Sequence, residues 1–477
     1  MSLKAQAKSG MIWTFAQQFG TQIISFAISI VLARLLVPED FGVIALFGVV
    51  MGIASAFING GMGSSLIRSN DVDEKDFSTV FIFNIVLSLL MYAVVFILAP
   101  FISDFYNMPI LTNIIRVYSI TLIISAFNII QSTRLSKDMA FKTMFKIQLP
   151  SLIIGGLTGI GFAYSGFGVW SLVYSALIQN IISTIQYWIY GKWKPKLIFD
   201  VQKFKIHFSF GYRMTLSSLL DIIFNNIYPI IIGKIYSPTQ LGYYNRADSL
   251  KQLPVSNLSN ALNKVTFPLF AKISQDDVKL KDVYQRLLRV VIFIIAPTLA
   301  LMVVLAEPII RFLLTEKWLP AVPYLQILAI SGLLYPIHAY NLNILQVKGR
   351  SDLFLRLEII KKILIVIILI CSLPFGIYGL LWGKVIGSVL AFFINTHYTG
   401  KFLNYTFWQQ ILDLFPSIIL AGLAGLGVYL INQYITNGWM DLINITISTI
   451  LFMIIYLGCA FILNFKEILH IKQLIKK

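Results

Sequence analysis

One apolar stretch decides the fold class: Ile82-Phe-Asn-Ile-Val-Leu-Ser-Leu-Leu-Met-Tyr-Ala-Val-Val-Phe-Ile-Leu98. A strand that crosses a membrane has about ten residues of alternating polarity, and this stretch shows no such alternation. A run of this length matches a helix that spans a hydrocarbon core of about 30 Å. Because lipid offers no hydrogen-bond partners, a helix is the structure that satisfies its backbone internally. We therefore predict an all-α membrane protein.

The composition supports this interpretation. The 477 residues are 57% hydrophobic and 12% charged, with a mean hydropathy of +0.79, which is too little polar material to cover a soluble protein of this length. The net charge of +17 is typical of basic cytoplasmic loops and does not require a nucleic-acid partner. Two cysteines in apolar runs and four scattered histidines predict no metal site, and the absence of a Walker motif argues against direct drive by ATP.

Similar apolar runs continue along the chain and predict fourteen spans. The eighth is the weakest, because it carries three asparagines and Lys264. The predicted spans are residues 12–33, 42–66, 80–102, 112–131, 147–164, 168–190, 210–233, 250–270, 287–306, 322–345, 358–374, 377–397, 410–431 and 444–464.

The basic residues predict the orientation of these spans. If the N-terminus lies inside, 29 of the 38 lysines and arginines fall on the cytoplasmic side and 7 on the outer side. Cytoplasmic loops of membrane proteins carry this excess of positive charge. We expect a multi-pass membrane protein with both termini in the cytoplasm. The eighth span is required by this bias, since removing it would invert every later loop.

A ten-residue motif occurs twice. Ala33-Arg-Leu-Leu-Val-Pro-Glu-Asp-Phe-Gly42 recurs as Gly233-Lys-Ile-Tyr-Ser-Pro-Thr-Gln-Leu-Gly242. Proline and glycine at these positions are typical of a corner between two helices, and each copy lies in the first corner of a set of six spans. The predicted corner residues are Arg34, Pro38, Gly42, Lys234, Pro238 and Gly242.

The repeat predicts two parallel six-helix lobes in the same orientation, an architecture of transporters, followed by two further helices. The predicted parts are residues 1–190 for the first lobe, 191–209 for a basic linker, 210–397 for the second lobe, and 398–477 for the last two helices and a basic tail. The linker, in which lysines alternate with Trp193, Phe199 and Phe204, is either an interfacial segment on the anionic inner leaflet or an ordinary cytoplasmic connection.

The motifs resemble those of Wzx-type polysaccharide exporters, the colanic acid and teichuronic acid branch of the multidrug/oligosaccharidyl-lipid/polysaccharide superfamily. The resemblance covers essentially the whole chain. It rests on residues 32–46, 60–68, 242–254, 267–268, 318–328 and 348–352.

This resemblance implies a MATE-like fold of two six-helix bundles around a central cavity. It also implies a function, the movement of an oligosaccharide linked to undecaprenyl diphosphate from the inner to the outer leaflet. The implied partners are this lipid-linked saccharide and, in the cell, a polysaccharide polymerase. No cofactor is implied beyond a coupling ion, H⁺ or Na⁺.

Charged residues within predicted spans are the first candidates for substrate contact, because burying them is expensive. Lys264 of the eighth span suits a diphosphate, and the related lipid II flippases carry a cation on the matching helix. Asp221 of the seventh span is either its counter-ion or part of a proton or cation relay. Lys384 of the twelfth span either contacts substrate, forms a buried pair or extends to an interface.

Neutral polar residues form a second set of candidates for binding sugar hydroxyls. They are Gln17, Gln18, Gln22, Asn59, Asn225, Asn226, Asn257, Asn260 and Asn263. The alternative for each of them is a hydrogen bond between helices. The family's first helix often carries a cationic residue where this chain has glutamines.

Two other functions compete with export. One is a cation-coupled multidrug antiporter of the same superfamily, in which Asp221 would be the working acid. The other is a membrane polymerase or glycosyltransferase with Glu39 and Asp40 as catalytic carboxylates. Thr239 and Gln240 replace these acids in the second copy of the motif, so we favour a helix cap and predict that the protein is not an enzyme.

Overall fold

The computed structural model describes residues 3–69, 71–434 and 440–468, without the side chains of residues 3–12, 14–16, 260–262, 264 and 265. Over these ranges the regular structure is helical, with nineteen α-helices, two short 3-10 segments and no β-strand. The chain divides into two compact units, residues 1–242 and residues 243–477. The division into four parts that the sequence suggests stays a prediction.

The first unit contains ten complete helices and the first turn of an eleventh. They are α1 (Leu3–Leu35), α2 (Pro38–Asn59), α3 (Met62–Arg68), α4 (Glu74–Tyr106), α5 (Ile110–Tyr118), α6 (Ile120–Lys137), α7 (Phe141–Tyr164), α8 (Trp170–Gly191), α9 (Val201–Asn225), α10 (Ile227–Ile235) and α11 (Pro238–Lys272).

The second unit contains the rest of α11 and eight further helices within the described ranges. They are α12 (Asp277–Val304), α13 (Ala306–Leu314), α14 (Val322–Gly332), α15 (Tyr335–Val347), α16 (Ser351–Ser372), α17 (Gly376–Leu403), α18 (Phe407–Tyr434) and α19 (Asp441–Ile462). The 3-10 segments are Glu316–Ala321 and Leu373–Phe375.

All fourteen predicted spans fall on helices or on consecutive helices. Among the described residues, ten helical stretches are long and apolar enough to cross a membrane, and the pair α9 and α10, bent by 45°, makes an eleventh. One of the ten, Ser351–Leu403, is 53 residues long and holds two predicted spans. The sixth and eighth predicted spans, on α8 and α11, are helical but too polar for this criterion, so the all-helical membrane class is established and the count of fourteen stays a prediction.

Small residues bring α7 and α8 together in the first unit. A Cβ atom added at Gly155 would lie 2.6 Å from Gln179, and one at Gly159 would lie 2.7 Å from Ser175. The hydroxyl of Ser175 also donates to the carbonyl oxygen of Gly155 at 2.7 Å. Close backbone approach with an interhelical hydrogen bond is how helices associate in lipid, where the hydrophobic effect between helices is absent.

The two copies of the repeated motif contact each other inside the first unit. Pro38 begins α2 and Pro238 begins α11. A Cβ atom at Gly42 would lie 1.8 Å from the carbonyl oxygen of Pro238, and one at Gly242 would lie 2.0 Å from the carbonyl oxygen of Pro38. Each glycine therefore makes room for the proline turn of the other copy.

The predicted linker is partly helical, and part of it packs against α4 and α6 of the first unit. Helix α9 begins inside it, at Val201, because the side chain of Asp200 caps the first turn by accepting from two backbone N–H groups. Trp193 is 4% exposed and donates to Glu74 at 2.6 Å, so this ring is buried in protein. Leu197 is 95% exposed.

A buried carboxylate fastens the start of α9 to the same region. Asp76 of α4 lies 2.9 Å from the ammonium of Lys203 and 3.0 Å from Nε2 of His207. The other ring nitrogen of His207 lies 2.8 Å from the hydroxyl of Ser65 in α3. The linker thus ends in a polar cluster that joins α3, α4 and α9.

The core of the second unit forms around α12. Tyr284 of α12 is buried and donates to Asn341 of α15 at 3.0 Å. Phe452 and Tyr456 of α19 belong to the same buried cluster, and Arg289 of α12 pairs with Asp413 of α18 at 2.5 Å. The two C-terminal helices therefore share the core of the second unit.

Candidate functional site

Three charged residues and a tyrosine form a cluster within the second unit. The ammonium of Lys384 on α17 lies 3.1 Å from Oδ1 of Asp248 and 2.8 Å from the hydroxyl of Tyr244, both on α11. The ammonium of Lys251 donates to the same Oδ1 at 2.8 Å. One carboxylate therefore serves two cations, and the cluster carries a net positive charge.

The helical period explains how α11 supplies this cluster. Tyr244 and Asp248 are four residues apart, and Asp248 and Lys251 are three apart, so the three side chains share a face. The stem of Lys251 packs over Gly332 of α14, where an added Cβ would lie 3.0 Å from its Cδ. The side chains of Lys251, Asp248 and Lys384 are 5%, 25% and 27% exposed, so the cluster is withdrawn from solvent but still open on one side.

This arrangement has two chemical uses. The ion pairs join α11 to α17, because separating them would leave charges unpaired in a poorly solvated place. The excess ammonium also offers charge-assisted hydrogen bonds to an anionic group that competes with Asp248. Of the three roles predicted for Lys384, the structure contains the ion pair, which is partly buried. Contact with substrate stays a prediction.

The partners of Lys384 are not predicted by the sequence. Asp248 and Lys251 lie in the 242–254 motif that carries the family resemblance, at the outer end of the predicted eighth span. Asp248 precedes this span, and Lys251 is its second residue. Their spacing of three residues on a polar helix is the signal that indicates an intrahelical pair. The position of α17 against them cannot be read from the sequence.

The candidates of the eighth span are only partly described. The side chains of Lys264 and Asn260 lie outside the described residues, and with them the predicted pair of Lys264 with Asp221. Asn263 of α11 accepts from Asn343 of α15 at 3.1 Å. This contact is an interhelical hydrogen bond, the predicted alternative to sugar binding for Asn263.

Most candidates of the first unit lie on two helices, α1 and α9. Gln18 and Gln22 are half-buried on α1, one turn apart. Their neighbour Gln17 donates to Gln148 of α7 at 2.8 Å, an interhelical bond. Asp221 and Asn225 are exposed and one turn apart on α9, where Asn225 is the last residue before the bend into α10.

The corner residues occupy the ends of helices. Arg34 is exposed in the last turn of α1. The ammonium of Lys234, in the last turn of α10, lies 4.5 Å from the centre of the Phe105 ring and donates to the Phe105 carbonyl. Asp40 accepts from the backbone N–H of Val37 at 3.1 Å in the first turn of α2, as expected of a cap.

His338 lies in a polar layer between α15 and α17. Its Nε2 is 3.3 Å from the hydroxyl of Ser388, and its Nδ1 is 3.2 Å from the amide of Asn395. Ser388 in turn donates to the carbonyl oxygen of Ser331 at 3.2 Å. The ring therefore connects α15 to α17 through hydrogen bonds.

Comparison with known proteins identifies the class. Residues 31–323 match the family described as polysaccharide biosynthesis protein, which is more than half of the chain, and the chain belongs to this family. The resemblance to Wzx-type exporters that the sequence motifs indicated is thereby confirmed.

Individual relatives are similar over two-thirds to nine-tenths of their length. The teichuronic acid biosynthesis protein TuaB of Bacillus subtilis is 27% identical over 447 residues, 91% of each chain. The lipopolysaccharide biosynthesis protein WzxC of Escherichia coli is 24% identical over 88% of this chain and 86% of its own. The succinoglycan biosynthesis transport protein ExoT of Rhizobium meliloti is 23% identical over 69% and 67%.

The fold is also that of a solved flippase. The lipid II flippase MurJ in its inward closed conformation superimposes with a TM-score of 0.76 at 14% identity, over 95% of this chain and 99% of that one. At this identity the likeness establishes the fold alone.

Proposed function

We propose that this protein is a transporter that moves an oligosaccharide linked to undecaprenyl diphosphate from the inner to the outer leaflet of the bacterial cytoplasmic membrane. The observation that carries the proposal is the family match over residues 31–323, together with relatives of surface-polysaccharide synthesis that cover nine-tenths of the chain. The all-helical fold with ten or eleven apolar helical stretches is that of a membrane transporter. Its relatives support transport over catalysis, and the protein is not an enzyme.

Contacts at the ends of helices in the first unit support the crossings predicted for α4 to α8. Glu74, at the start of α4, contacts Arg134 at 3.6 Å and Trp193 at 2.6 Å. Arg134 lies in the last turn of α6, and Trp193 lies two residues beyond the end of α8, so the chain must leave this end and return twice. Helix α8 therefore runs the height of the unit, although it is too polar for the hydropathy criterion.

Similar contacts support α11 as a crossing helix. Near its beginning, Tyr243 donates to the carbonyl oxygen of Lys317 at 3.4 Å. Beyond its end, the carbonyl of Ser274 accepts from Lys348, which also pairs with Asp277 at 2.5 Å. Helices α12 to α15 connect Asp277 to Lys317 and back to Lys348, so these two contact groups lie at opposite ends of the second unit. Helix α11 spans the distance between them.

These contacts agree with the predicted orientation. Arg134, Lys203 and Lys348 belong to the basic segments that we assign to the cytoplasm, and each pairs with an acid of another segment on the same predicted side. Lys234 and Arg311, assigned to the outside, contact Phe105 and Asp441, which are also on the predicted outer side. Two six-helix lobes followed by two helices, with both termini in the cytoplasm, account for all of these pairs.

In the proposed mechanism the two lobes expose the substrate site alternately to each side of the membrane. The diphosphate would meet cationic side chains, Lys264 and the ammonium groups beside Asp248, while the polyprenyl chain stays in lipid. Membrane potential or a coupled ion would supply the free energy. A polysaccharide polymerase would then consume the saccharide at the outer leaflet.

The test is a strain that lacks this protein. We expect lipid-linked repeat units to accumulate on the cytoplasmic face, protected in intact spheroplasts from an added saccharide-cleaving enzyme. Restoring the wild-type protein should return them to the outer face. If the repeat units reach the outer leaflet at the normal rate without the protein, the proposed function is wrong. Drug resistance that depends on Asp221 would instead favour the multidrug antiporter.

A further inference from the structure

The first unit contains a polar cavity whose lining includes one of the predicted sugar-binding candidates, Asn59. Its volume is about 490 Å³, within the usual range of small-molecule sites, roughly 300–1,000 Å³. It lies where the end of α2, the short helix α3 and the second half of α6 meet. The lining residues of most use for binding are Ser55, Asn59, Ser64, Ser125, Asn128 and Ser132.

The lining is polar and uncharged. Hydroxyl and amide side chains alternate with glycines, only three isoleucines add apolar surface, and none of the lining residues is ionisable. Each hydroxyl offers one donor and two acceptor positions, and each amide offers two of each. Such a surface suits a neutral ligand with many hydroxyl groups. It suits a phosphate poorly, because nothing in the lining compensates a negative charge.

Local hydrogen bonds hold the lining side chains in place and leave some of their polar atoms able to bind a ligand. Ser125 and Ser132 donate to carbonyl oxygens of their own helix, which fixes their side chains while their oxygen atoms can still accept. The amide nitrogen of Asn128 donates to Thr184 of α8 at 3.1 Å. Asn59 and Ser64 are exposed within the cavity.

A backbone break between α2 and α3 shapes the cavity. Gly60 and Gly61 both adopt positive φ, at 52° and 61°, so the chain turns sharply after Asn59. A Cβ at Gly61 would lie 2.7 Å from the carbonyl oxygen of Gly211, so α9 packs against the turn from behind. At the far end of α3, Lys137 donates to the carbonyl oxygens of Leu66 and Ser69.

The cavity also reaches into the membrane part of the protein. Along α6 it extends from Thr133 to Ser125, which at 1.5 Å per residue is about 12 Å. It begins near the ends of α2 and α6 that we assign to the cytoplasm. Polar side chains on such an apolar helix as α2 are costly unless water or a ligand contacts them.

We propose that this cavity binds a neutral sugar of the lipid-linked saccharide as it enters from the cytoplasmic side. The inference rests on the proposed function and adds to it a binding site for the sugar, separate from the cationic groups assigned to the diphosphate. Asn59, Asn128 and Ser132 supply hydrogen bonds to sugar hydroxyls. The site selects the saccharide by its hydroxyl pattern.

The first experiment fills the cavity. The double variant Asn59→Leu with Ser132→Leu is compared with Asn113→Leu, an exposed asparagine of α5 that does not line the cavity. Proteoliposomes receive lipid-linked repeat units extracted from cells that lack the protein, and the initial flipping rate is measured against their density. Losing two or three hydrogen bonds should raise the apparent KM about tenfold or more, while the control stays near wild type.

A labelling experiment covers the case in which the double variant fails to fold. Cys371 and Cys459 are replaced by alanine, Asn59→Cys is introduced, and its reaction with a membrane-impermeant maleimide is followed. The lipid-linked repeat units should slow the reaction several-fold, and undecaprenyl diphosphate without sugar should not. Equal labelling under both conditions, or unchanged flipping in a folded double variant, overturns the sugar site and leaves the proposed function standing. A wild-type protein that flips no repeat units overturns the proposed function instead.

Discussion

Replacing Gly42 by alanine tests whether the contact between the two repeat copies holds the first unit together. The new Cβ would lie 1.8 Å from the carbonyl oxygen of Pro238, whereas ordinary contact begins near 3.4 Å. The starts of α2 and α11 would have to separate by about 1.6 Å, and a backbone atom cannot turn away as a side chain can. We expect a loss of about 2–3 kcal/mol, in the upper part of the range for overpacking.

Two other glycines provide a graded control. A Cβ at Gly156 would lie 2.2 Å from the side chain of Ile28. That side chain can adopt another rotamer at some cost in energy. A Cβ at Gly48, on the same helix as Gly42, would meet nothing within 4 Å. Stability should therefore fall in the order Gly48→Ala, Gly156→Ala, Gly42→Ala, with the first equal to wild type or slightly above it because alanine favours the helix.

The assay is the thermal unfolding of detergent-solubilised protein, followed by the fluorescence of a fused reporter on size-exclusion chromatography. Gly42→Ala should lower the apparent Tm by roughly 5 °C or more. Gly242→Ala should behave alike, because its Cβ would lie 2.0 Å from the carbonyl oxygen of Pro38. A Gly42→Ala protein that unfolds at the wild-type temperature would refute the reasoning, as would a Gly48→Ala protein that is equally destabilised.

Three further predictions concern charged side chains. Asp248→Asn should lower stability by about 2 kcal/mol or more, since it leaves two ammonium groups facing each other, and adding Lys384→Met should recover part of the loss in the same unfolding assay. Asp76→Asn should loosen the segment before His207, measured as faster tryptic cleavage within residues 192–196. Asp40→Asn keeps an acceptor for the helix cap, so export in cells should continue at the wild-type level. The free energy of unfolding should change by less than about 1 kcal/mol.

Each of these predictions has a contrary outcome. If adding Lys384→Met does not raise the stability of the Asp248→Asn protein, repulsion between the two ammonium groups is not the cause of its loss. If Asp76→Asn leaves the cleavage rate unchanged, the polar cluster does not hold the linker. If Asp40→Asn abolishes export while the protein stays folded and in the membrane, the acid has a role beyond its cap.

The helices were predictable because lipid imposes a simple rule on them. An apolar run such as Ile82–Leu98 must pair its own backbone, and α4 follows it at Glu74–Tyr106. Helix α11 was predicted only from the charge bias, because it is too polar for a hydropathy criterion. Its polar side chains form hydrogen bonds and ion pairs with other helices of the protein. The corner at Pro38 was predictable for a similar reason, since proline and glycine act on the backbone locally.

The candidate sites were harder to predict from the sequence, because they depend on which helices become neighbours. Lys384 was recognised as unusual, but its partner Asp248 lies 136 positions away in the chain. Trp193 looked suited to a lipid interface from its basic surroundings, yet Glu74 and Gln131 bind it inside the protein. The sugar cavity combines hydroxyls and amides that are unremarkable one at a time, so only the packing of α2 against α6 reveals it.

The reciprocal seating of the two motifs constrains how they can change. In each copy the glycine receives the proline carbonyl of the other, which is the exchange of contacts that a two-fold axis produces between identical chains. A protein with a single copy of the motif could therefore have formed the same contact as a homodimer before the copies were joined in one chain. The acids at positions 39 and 40 take no part in this exchange, which explains why the second copy could replace them with Thr239 and Gln240 and still make the corner.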